Sequence, residues 1–114
     1  MSKEFNLGDY RTYPGAKVFS GRPRGEEVRR QLGLSALDAV QEHAVIRIPD
    51  DVYTFNMSFF LGLCAESIVR YGVSEFKNHY RFEGPPVLID DIPDYIAQAV
   101  KESIPLQVTS GKSV

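Results

Sequence analysis

AVIRIPDDVYTFNMSFFLGLCAESIVRYG, residues 44–72, is the stretch whose reading decides the fold. Ala44 to Ile48 is dense in β-branched residues and closes at Pro49-Asp50-Asp51, which reads as a strand, and a central one. Val52 to Asn56 continues the extended run. Ser58 then precedes an apolar-rich stretch from Phe59 to Tyr71 that stops at Gly72. Strand, N-cap, helix and C-cap follow in order, with the Ser58 hydroxyl expected to accept from a backbone N–H two or three residues on. At about 100° per residue, Phe60, Leu61, Cys64 and Ile68 share one face of this helix, and Phe59, Gly62, Glu66 and Arg70 share the opposite one. Phe59 is thereby expected away from the core, either as an anchor for a partner, with Gly62 leaving room for that partner to approach, or shielded by the following loop or by the Gly21 to Gly25 segment.

Upstream, Phe5 and Leu7 alternate with Glu4 and Asn6 as a short strand. Tyr13-Pro14-Gly15-Ala16 reads as a turn into a second one at Lys17 to Ser20, which makes a hairpin plausible. Gly21-Arg22-Pro23-Arg24-Gly25 reads as a loop opening onto a helix from Glu26 to Leu32, stopped by Gly33. Ser35 to His43 reads as a further helical turn. Downstream come a helical turn at Ser74 to Asn78, a strand at Tyr80 and Phe82 ended by Gly84-Pro85-Pro86, and a last helix. Asp91 is placed to cap that helix, Pro93 suits its first turn, and Ile92, Tyr95, Ile96, Ala99 and Val100 form its apolar stripe. Strands alternating with helices imply an α/β class, here one domain over residues 1–108 with a mixed, partly parallel sheet of four or five strands covered by helices. Residues 109–114, small and polar, read as a flexible C-terminal tail.

At 114 residues the chain has the size of one domain, and 43% hydrophobic with 25% charged residues is ordinary for a folded one. A net charge of −2 gives no general attraction to nucleic acid or acidic lipid. Cys64, the single cysteine, allows no disulfide within the chain and sits in an apolar run as a small hydrophobe. The start, MSKEFNLGDYR, has no apolar leader region and no stretch is long enough for a membrane span, so a cytoplasmic protein is expected.

Few residues carry chemistry. Arg22 and Arg24 beside Gly25 at a helix start are a candidate anion site, because guanidinium donors, backbone N–H groups and the helix dipole converge there. The run lacks the lysine and hydroxyl of a nucleotide loop, and a solvated helix start is the plainer reading. With Arg29 and Arg30 it makes only a small footprint for nucleic acid beside Glu26 and Glu27. His43 and His79 have no metal-ligand spacing and read as satisfied polar residues near strand ends. Ser58, His79 and Asp91 can be grouped on paper, but no G-x-S-x-G elbow surrounds the serine. Asp50-Asp51 and Asp90-Asp91 sit where turns and caps place aspartate. No cofactor, no metal and no enzymatic role are expected.

The run from Val45 to Phe60, the helix to Tyr71-Gly72 with Phe76 beyond, and the upstream Val18-Phe19-Ser20-Gly21-Arg22 with Gly25 and Val28-Arg29 resemble the STAS-like domains of bacteria, relatives of anti-sigma-factor antagonists. The resemblance spans roughly residues 15 to 84. In that group a strand ends in a serine-bearing turn that starts the next helix. The antagonists proper carry an Asp-Ser-Ser/Thr-Gly type turn, whereas Asn56-Met57-Ser58-Phe59 stands here, an amide for the acid and a phenylalanine for the glycine. The resemblance implies a small regulatory protein-protein interaction module of a bacterial or phage system, docking an ATPase-type kinase or other regulatory protein. It makes Ser58 the position matching the phosphorylatable serine. Asn56, Ser58, Phe59, Gly62 and Glu66 are then the expected docking residues. Two readings stand beside it: a phosphate-ligand-binding or enzymatic domain using Arg22 and Arg24, and a stand-alone inhibitor that caps a larger partner.

Overall fold

The computed structural model describes residues 2–103, so the tail expected over 109–114 lies outside the described residues. Among the described residues five strands form two small sheets. β1 (Ser2–Asn6), β3 (His43–Arg47) and β5 (Tyr80–Glu83) lie in the order β1-β3-β5, and β2 (Val18–Phe19) pairs with β4 (Thr54–Phe55). Every pairing among the described residues is parallel. Parallel neighbours need crossovers, and α1 (Arg22–Leu32), α2 (Leu34–Ala39), α3 (Met57–Tyr71) and α4 (Val73–His79) lie within them, while α5 (Pro86–Ile89) and α6 (Ile92–Ser103) follow the last strand. The class is α/β, a single domain with helices covering two small parallel sheets.

Ala44 to Ile48 forms the central strand, as its β-branched content requires, with Ala44 and Ile46 buried under the helices. Arg47 lies on the opposite face, where it donates to Glu4 of β1 at 2.6 Å and to Glu83 of β5 at 3.1 Å. The hairpin at the N-terminus does not form. The Tyr13–Ala16 turn closes, with the Ala16 N–H donating to the Tyr13 carbonyl at 2.9 Å, but it carries the chain out of one sheet and into the other. β1 pairs with β3 in preference because β3 offers a buried centre that the short β2 cannot.

α1 starts at Arg22, so the run read as a loop is the helix's first turn. Pro23 fits there because the first turn needs no N–H donor, and Gly33, at φ +69°, ends the helix in the left-handed conformation. α1 and α3 then meet backbone to backbone. A Cβ at Gly62 would fall 2.8 Å from the Glu26 nitrogen, and one at Gly25 would fall 2.9 Å from the Leu63 nitrogen, so only glycine permits this crossing. Beneath it lies the aromatic core. Phe59 packs edge-on to Phe19 at 5.4 Å and to Phe55 at 5.5 Å, and Phe60 reaches Phe76 and Phe82. No helix among the described residues is long and apolar enough to cross a membrane.

Candidate functional site

The junction between β4 and α3 is set by Asn56. Its side-chain oxygen accepts from the Phe59 N–H at 2.9 Å, which makes Asn56 the N-cap and leaves Ser58 exposed in the first helical turn. This corrects the expectation that Ser58 caps the helix: the chain turns helical at Met57, two residues sooner. The Asn56 N–H donates to the Phe19 carbonyl at 3.1 Å, so α1 and α3 leave the same end of the β2–β4 pair. Tyr53, 70% exposed, stands on the segment leading into this junction.

Phe59 is fully buried, against the expectation of an exposed anchor. The helical angles were right about which residues share its face and wrong about what covers that face. α1 packs there, filling the space that Gly62 was expected to leave for a partner. Of the expected docking residues, Asn56 and Ser58 lie together at the helix start, Phe59 is core, Gly62 is buried under Arg22, and Glu66 stands half-exposed beside α1.

The arginine pair does not converge. Arg22 turns to α6 and bonds Glu102 at 2.8 Å, whereas Arg24 turns away to donate to the Tyr10 carbonyl. Gly25 donates its N–H to the Gly21 carbonyl at 3.0 Å and is buried against α3, so its backbone is committed to the helix. The hydrogen bond from Arg22, with a second from Gln98, lowers the Glu102 carboxyl below its usual range.

A polar cluster lies buried between α1, α2, α3 and β5. Arg29, 8% exposed in its side chain, donates to the Leu63 carbonyl at 2.8 Å, to Ser67 at 2.9 Å, and to Ser35 and Asp38 at 3.3 Å each. Asp38 also accepts from the Tyr80 hydroxyl at 2.7 Å and from Ser67. Burial drives the Tyr80 phenol above its usual value, and likewise the Cys64 thiol, which packs as a small hydrophobe. One donor, Arg29 Nε, has no acceptor within hydrogen-bond distance; the nearest carboxylate is Glu66 at 3.5 Å. The sequence reading missed Asp38, Ser67 and Tyr80. The available signal was Ser67 itself, a polar residue between Cys64 and Ile68 on an apolar helix, since a buried hydroxyl demands a partner.

His43 and His79, 36 residues apart in sequence, touch edge-on at 4.9 Å, and His79 Nδ1 contacts the Glu75 carbonyl at 2.9 Å. No group of three or more His, Cys, Asp or Glu placed to hold a metal occurs among the described residues. No protein-family model, no curated protein and no solved structure matches the chain.

Proposed function

We propose that this chain is a small regulatory interaction module of the STAS-like kind, docking a partner protein in the cytoplasm through the β4–α3 junction around Ser58. One observation carries the reading: Asn56 caps α3, so the Ser58 hydroxyl is exposed and free of a capping duty at the start of a helix. A phosphate there would add about −2 charge where backbone N–H groups and the helix dipole favour it, changing the docking face without unfolding the domain. An ATPase-type kinase or another regulatory protein is the partner this role calls for. The role is one of binding rather than catalysis.

The test is affinity capture with the tagged full chain from host extract, read by quantitative mass spectrometry, with Ser58→Arg run in parallel. A protein captured by the wild type and reduced at least tenfold by Ser58→Arg supports the reading, and phosphate on the Ser58 peptide would identify the switch. Equal capture by both baits rejects the junction as the docking site.

A further inference from the structure

A groove of about 650 Å³ runs between α1, α3 and α6. Leu61, Ala65 and Val69, four residues apart on α3, form an apolar floor with Ala99 of α6, and Val69 is 56% exposed there. On the helical wheel Ser58, Gly62, Ala65 and Val69 fall within an arc of about 60°, so the groove begins one turn beyond Ser58 on the same face.

The groove's charges decide what fits it. Three arginines line it, and each is neutralised within the chain: Arg22 by Glu102 at 2.8 Å, Arg29 by Asp38 at 3.3 Å, and Arg30 by Glu27. Among the described residues Glu26 has no ion pair, and Glu66 has only long contacts, 3.5 Å to Arg29 and 3.9 Å to Arg70. Glu26 stands on the α1 wall and Glu66 on the α3 wall, which gives an apolar floor between one unpaired carboxylate and one held only by long ion pairs.

We infer that this groove seats a basic amphipathic helix of the partner protein. Apolar side chains at i, i+4 and i+7 of that helix meet Leu61, Ala65 and Val69, and its lysines or arginines reach Glu26 and Glu66. An acidic occupant would desolvate both carboxylates against like charge. Phosphate on Ser58 would extend the acidic field along the same face, strengthening attraction to a basic helix. The inference rests on the interaction-module reading and names the partner's chemistry.

The probe is a synthetic fluorescein-labelled helix of leucine and lysine, with leucine at i, i+4 and i+7, titrated against the full chain by anisotropy; the same helix with glutamate for lysine is the control. The lysine helix is expected to saturate, and the glutamate helix is expected to bind at least tenfold more weakly. Glu26→Lys with Glu66→Lys, and separately Val69→Asp, should each weaken the lysine helix at least tenfold. Val87→Asp, at an exposed valine outside the groove, should leave it unchanged. Thermal melts confirm that each variant is folded. Equal binding of the two helices, no loss in the groove variants, or equal loss with Val87→Asp overturns the inference. A dimer in sedimentation that the groove variants dissolve overturns it too, in favour of a second copy. The capture assay with Ser58→Arg reads the junction and the titration reads the groove, so either can fail alone.

Discussion

The two ends of α3 are held in opposite ways. Around Phe59 and Phe60 the helix is fixed by apolar aromatic packing with Phe19 and Phe55. Around Ser67 it is fixed by directional bonds among Arg29, Asp38, Ser67 and Tyr80. Packing penalises a void, whereas a buried polar cluster penalises the loss of any one member, because the groups left behind stay desolvated without a partner. The aromatic end therefore anchors the helix next to the candidate docking junction, and the polar end sets the orientation of α1 across it.

The largest expected effect breaks the aromatic end. Phe59→Ala should lower unfolding free energy in urea by about 4 kcal/mol, the cost of an emptied aromatic core site. A loss below about 1 kcal/mol would mean that Phe59 lies on the surface after all. The polar end comes next. Arg29→Met should cost about 3 kcal/mol, since it strands the Asp38 carboxylate in the interior, and adding Asp38→Asn to it should recover part of that loss. If the second substitution instead adds its own full penalty, the two residues are not coupled and the cluster is not one unit.

The junction offers a finer comparison. Asn56→Ala should cost about 1 kcal/mol through loss of the cap, while Ser58→Ala should cost less than about 0.5 kcal/mol. The reverse order in paired denaturation curves would return the cap to Ser58. The smallest effect concerns Arg22 and Glu102. Glu102 has a lowered carboxyl pKa in the folded chain, so its contribution is full above the ordinary carboxylate range and is lost as pH falls through the folded value. The pair is exposed, and the gap between wild type and Arg22→Ala should be no more than about 0.5 kcal/mol near neutrality, closing on acidification. A gap that widens in acid would show that Arg22 acts through something other than Glu102.

Much of the framework follows from local chemistry alone. The β-branched run at Ala44 to Ile48 makes a central strand, Gly33 and Gly72 end helices, and the stripe from Ile92 to Val100 makes α6, because propensity, capping and periodicity act within a few residues of the chain. Choices between distant partners are settled elsewhere. Whether β1 turns back as a hairpin or joins β3, and whether Phe59 faces solvent or α1, depends on which surfaces meet, and a single helix's periodicity does not record what covers its second face. Gly62 read as open space for a partner and Gly25 as part of an anion loop, and together they are the contact point of two helices. Ser58 and Asn56 compete for one cap separated by two residues, which only the path of the backbone at Met57 resolves. The buried cluster is the furthest from local reading: Arg29, Asp38, Ser67 and Tyr80 come from four elements, and the desolvation that forces them together exists only once those elements have packed.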